Sequence, residues 1–167
     1  MSIIARGSKS EFTPAPEGLW LGVCCDVVYL GVQEYQWKDE EPKLLHKVEI
    51  RWQLEEIAGK PFIVSRQFTL SLHEKAKLRQ VLESWRGKKF SPEELEGFDL
   101  EKLIGSTCQI QIVHNLGSRG GIFANVQAVV TKPKGAQNLL VDESYIRMKD
   151  RSLTASDETA SDNDFPF

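Results

Sequence analysis

From Leu44 to Glu55 the chain alternates without a break. His46, Val48, Ile50, Trp52 and Leu54 fall on one side, and Lys47, Glu49, Arg51, Gln53 and Glu55 on the other. A period of two over this length fits a strand with one buried face and rules out a helix, whose apolar positions recur every three to four residues. Ile57-Ala58-Gly59-Lys60-Pro61 then supplies a turn, so Phe62 to Leu70 is expected to return antiparallel. Phe62, Val64, Phe68 and Leu70 would share its inner face, with Arg66 as the odd member.

This hairpin sets the frame for the rest. Before it, Gly18 to Leu30 reads as a strand with Leu19, Leu21, Val23, Cys25, Val27 and Tyr29 on one face, ended by Gly31. Gln33 to Pro42 reads as a polar loop carrying Tyr35 and Trp37. After the hairpin the period changes. Ser71 and Glu74 have the form of a capping box, Leu78, Val81, Leu82 and Trp85 follow at helical spacing, and Gly87 stands where a left-handed C-cap would be. Ser91-Pro92-Glu93-Glu94 opens a second helical turn, and Asp99 to Ile104 a third, closed by Gly105. Strands resume over Thr107 to His114 and, past the loop Asn115 to Gly121, over Ile122 to Val130. Ile122, Ala124, Val126, Ala128 and Val130 are the expected inner residues of the last strand. Leu139 to Met148 is a further short element against the body. Three strands, a helix and two strands are the order of the OB-fold, a mainly β, five-stranded Greek-key barrel with a helix between strands 3 and 4.

The ends differ from this body. Residues 1–17 are a polar arm with Pro14 and Pro16, and 18–151 the OB-fold domain. Residues 152–161 are Ser, Thr, Ala and acid with Leu153 as the one large apolar residue, a composition that cannot bury enough surface to offset the entropy of ordering, so 152–167 is expected to be a disordered acidic tail. The 24 acidic and 21 basic residues give the chain a net charge of -3. Four of the acids (Asp157, Glu158, Asp162 and Asp164) lie in the tail with no Lys or Arg beside them, so the body alone is at +1. A near-neutral body is compatible with a local cationic groove. The chain lacks a long apolar run and an apolar leader after Met1, so it is expected to stay in the cytoplasm. Cys24, Cys25 and Cys108 match no zinc spacing and read as small buried hydrophobes in a reducing compartment. No metal or other cofactor is called for. A phosphate-binding Gly-rich motif, a nucleophile elbow and an H-E-x-x-H pair are all missing, so the reading is non-catalytic.

The chain ends Asp162-Asn163-Asp164-Phe165-Pro166-Phe167. This tip resembles that of bacterial single-stranded DNA-binding proteins, where a run of aspartates precedes a hydrophobic residue, Pro and Phe. Asp162, Asp164, Phe165, Pro166 and Phe167 match; Asn163 interrupts the run, and Phe165 stands where an aliphatic residue is usual. The resemblance implies recruitment of replication, recombination and repair proteins by the tip. The stretch Phe68 to Leu78 followed by Glu83 to Phe90 is similar to phage-encoded single-stranded DNA-binding proteins with an OB-fold, a likeness that runs from about Gly18 to Pro133. It implies binding to single-stranded DNA in the bacterial cytoplasm.

Such binding needs cations along the phosphates and exposed rings on which bases stack. In an OB-fold these lie on strands 2 and 3 and the loops joining strands 1 to 2 and 4 to 5. The candidates are Lys47 and Arg51 on strand 2, Arg66 on strand 3, Tyr35 and Trp37 in the first loop, and Arg119 and Phe123 in and after the second. Trp52 and Trp85 read as core, Trp20 as either, and Arg86, Lys88 and Lys89 as a small basic run. Two other readings stay open: a metal-dependent DNA nuclease or resolvase, and a protein-interaction adaptor that binds no nucleic acid. The oligomeric state is open as well, a homo-oligomer included.

Overall fold

The computed structural model describes residues 13–151. The calls made on residues 1–12 and on the tail and its tip, residues 152–167, lie outside the described residues. The protein is mainly β: five antiparallel strands form one open sheet, in the order β3-β2-β1-β4-β5. They are β1 (Gly18–Tyr35), β2 (Lys43–Leu54), β3 (Ile63–Thr69), β4 (Thr107–Leu116) and β5 (Ile122–Thr131). Between β3 and β4 come α1 (Lys77–Arg86), α2 (Pro92–Glu96) and a 3-10 turn (Leu100–Leu103).

β2 behaves as its alternation predicts: Val48, Ile50, Trp52 and Leu54 are all buried. β3 adds Val64 and Phe68 to the same core, and β4 adds Cys108, Ile110 and Ile112. α1 closes this core with Leu78, Val81, Leu82 and Trp85, the Trp85 ring lying 5.9 Å from that of Trp52. Gly87 caps the helix in the left-handed conformation, at φ 73°. The ladder is not hydrogen-bonded round into a closed ring. Instead the free edges β3 and β5 approach one another beneath α1, and Arg66 on β3 donates a hydrogen bond to the Val126 carbonyl of β5 at 3.3 Å.

β1 departs most from the reading of its sequence. It does not stop at Gly31 but runs to Tyr35, so Tyr35 belongs to a strand and not to a loop. Its first half presents Trp20, Gly22 and Cys24 to the core, while Leu19 lies exposed. At Cys25 a bulge intervenes: Cys24 pairs with Trp52 and Asp26 with Arg51. The extra residue reverses the phase, so Val27 packs on the core although Val23 does not. A second register shift falls between Tyr29 and Gly31, and Gly31 takes φ 85°, which glycine adopts without a Cβ penalty. β5 carries a third shift, opposite Gln111 and Ile112, so Val126 and Val129 are buried while Val130 faces outward.

The helix start is also corrected. Ser71 accepts from the His73 amide and caps a turn, Ala76 donates back to His73, and α1 begins only after Ala76. The capping box is at Ser91 and Glu94, on α2. The Asn115–Gly121 loop shrinks to a tight turn between Gly117 and Gly121. At the start of the described chain Ala15 is buried, and its carbonyl bonds the His114 ring at 2.6 Å, so these last residues of the arm belong to the body.

Candidate nucleic-acid interface

Two of the expected cations meet. Lys47 on β2 and Arg66 on β3 line one groove of about 420 Å3, with Lys75 and Lys77 from the turn into α1 and with His73. None of the residues lining it is an acid. Lys47 is steadied by a 2.9 Å hydrogen bond to Thr69, directly across the strand pair. Arg66 lies over the Phe68 ring at 5.1 Å. Both cations are thus held in place before any ligand arrives, which lowers the ordering cost of binding an anion. Sequence reading missed both lysines: Lys75 lies in the turn before α1, which it counts as helix, and Lys77 is the first residue of α1.

Further along β2 from Lys47, the end of the β1–β2 hairpin carries exposed rings. Tyr35 and Trp37 stack on one another, centroids 6.3 Å apart and planes 23° apart, and both are exposed. A second pair was not foreseen. Tyr29, exposed, stacks on His46 at 6.0 Å, and its hydroxyl lies 2.6 Å from the His46 ring nitrogen. The His46 carbonyl accepts from Leu70, at the end of the β3 strand that leads into the groove. Sequence reading counts Tyr29 as an inner residue of β1; it pairs with Val48 on that face, yet its ring is exposed.

The remaining candidates do not join this set. Arg51 is bound to Glu49 at 3.2 Å, and the Tyr145 hydroxyl lies against it. It is therefore engaged within the fold rather than presented to a ligand. Arg119 is exposed in the β4–β5 turn. Phe123 is exposed too, but its ring covers Gly117, where any side chain would collide with it. It therefore supports the turn. Arg86, of the basic run, is committed to Glu94 through two hydrogen bonds of 2.8 and 3.0 Å.

The largest surprise is Asp26, which is only 1% exposed and is the single fully buried charged side chain among the described residues. It accepts from Tyr145 at 2.9 Å, from Arg147 at 3.1 Å and from the Met148 amide at 2.9 Å. Arg147 continues to Glu101 at 2.6 Å. Residues 139–148 are thus a strap, mostly without regular structure, tied across the outer side of β1. Further ties join Leu139 to Thr107 and Asp142 to Gln53. Burial pushes the Cys25 thiol beside it up to about 11, so it stays protonated.

No family model matches the chain, and no curated protein matches it, so the functional reading rests on this chemistry. Among the described residues, no helix is long and apolar enough to cross a membrane.

Proposed function

We propose that the chain is a non-catalytic, largely sequence-independent binder of single-stranded DNA that serves replication, recombination or repair in the bacterial cytoplasm. In this reading the tip at residues 162–167 recruits partner proteins. The observation that carries it is the acid-free groove of Lys47, Arg66, Lys75 and Lys77, with the stacked pairs Tyr35–Trp37 and Tyr29–His46 on the β1–β2 hairpin. Cations follow the phosphates and rings receive unpaired bases, each stack contributing about 1–3 kcal/mol. The strand order, the helix between β3 and β4 and the approach of β3 to β5 support a Greek-key barrel of the OB type.

The test is a titration of labelled single-stranded and duplex oligonucleotides. Single strands should bind much more tightly, and Lys75→Glu with Lys77→Glu should weaken that binding by about tenfold at moderate salt. Equal affinity for duplex, or indifference to the charge reversal, rejects the proposal.

One observation favours the adaptor as a second reading. Glu34, Asp39, Glu40 and Glu41 surround Tyr35 and Trp37, and acids repel phosphate. In the adaptor reading the hairpin docks on a basic protein surface, and no oligonucleotide binds even at low salt. Among the described residues no three His, Cys, Asp or Glu side chains gather as a metal site would require, so nothing favours the nuclease.

A further inference from the structure

α1 has a cleft at each end. The one at its N-terminal end is the cationic groove. The one at its C-terminal end, about 550 Å3, shares no lining residue with the first. Its floor is apolar, made by Leu82, Trp85, Phe98 and Leu103. Its rim is cationic, made by Lys88, Lys102 and Lys132. Glu94 is its one lining acid, and Arg86 and Ser91 hold that carboxyl down to about 2, so its charge is matched by Arg86. The Lys88 and Lys102 ammonium groups have no ion-pair or hydrogen-bond partner among the described residues. Lys132 is engaged with the Ala136 carbonyl and Asn138. The apolar floor and the two unpaired ammonium groups together call for a ligand that joins a ring to carboxylates.

The chain itself contains such a segment. Residues 162–167 put Phe165 and Phe167 beside Asp162 and Asp164. The strap brings the root of that segment to the cleft, because Arg147 is bound to Glu101 and the next two residues, Lys102 and Leu103, line the cleft. From Arg151 to Asp162 an extended chain reaches roughly 36 Å, against a radius of gyration of roughly 14 Å for a body of this size. A tether this short gives an effective concentration on the order of millimolar, which favours the segment of the same chain over that of another copy.

We infer that the cleft seats residues 162–167 of the same chain, an aromatic ring over the Trp85–Phe98 floor and the two aspartates against Lys88 and Lys102. Held there, the tip is withdrawn from partners while the groove at the other end of α1 stays open. A partner must then compete with this seat, and DNA need not.

The test is photocrosslinking of the full chain with p-benzoylphenylalanine at position 165, at high dilution, with the crosslinked residue mapped by mass spectrometry. Crosslinks within one chain to residues 82–107 are expected. Lys88→Glu with Lys102→Glu should cut their yield by about tenfold, while oligonucleotide affinity changes by less than about twofold. Crosslinks to Lys47, Arg66, Lys75 or Lys77, crosslinks only between copies, or none to the body would each overturn the assignment. The crosslinking result does not depend on whether DNA binds, so it can fail or succeed apart from the proposed function.

Discussion

Asp26 is a buried carboxylate on which three donors converge. Burial pushes its carboxyl up, but the Met148 amide, Arg147 and Tyr145 outweigh that and the net shift is downward. A carboxylate with a lowered folded-state value stabilises fully above the ordinary Asp value, about 4, and loses that contribution as pH falls through the lowered value. Asp26→Ala takes the acceptor from the Arg147 Nε–H, the Tyr145 hydroxyl and the Met148 amide, and should cost about 3–5 kcal/mol in urea denaturation at pH 7. The variant should also lose part of the decline in stability below about pH 4 that the parent shows. Trp52 gives a second residue-level prediction. It is wholly buried with no partner for its indole N–H, so Trp52→Ala should cost about 3–5 kcal/mol in packing, while exposed Trp37→Ala leaves the denaturation midpoint in place. In the sequence Asp26 was one polar residue on the outward face of a strand. Its partners stand some 120 positions away, and no local pattern links them.

At the scale of elements, legibility follows the regularity of the ladder. β2 could be read from Val48 to Leu54 because it runs unbulged, although His46, counted on the same side, is exposed; α1 could be read because its apolar stripe has one period. β1 and β5 could not, since one inserted residue moves every later side chain to the other face and leaves no mark in composition. Tyr35 falls in a loop in the sequence reading for another reason: Gly31 reads as the end of a strand that runs on through it to Tyr35. The same strand offers a test of its corrected phase. Gly22 faces the core, and a Cβ there would stand 2.6 Å from Ile110 Cδ1. Gly22→Ala should therefore destabilise by about 1–3 kcal/mol, and Ile110→Val in the same chain should recover much of the loss by removing that methyl. If Gly22→Ala is neutral, the face assignment of β1 before the bulge is wrong.

For the whole molecule, the body's charge of +1 is too small to bind DNA by net attraction, so binding has to come from the local groove. Four groove cations on a single strand predict a log–log salt slope of about -3, reduced to about -1.5 when Lys75 and Lys77 are reversed. A slope near zero would remove the groove from the phosphate path. The strap adds a mechanical consequence. In the proposed function a protein that grips the tip and pulls does not load an edge strand; the load passes through Arg147 and Tyr145 to Asp26 in the middle of the longest strand, where it is paired with β2. Such a joint resists tension until its bonds break together, and its lifetime under load is set by the rate of opening rather than by equilibrium stability. A partner's pull on the tail, in the proposed function, meets this joint before it reaches an edge of the sheet.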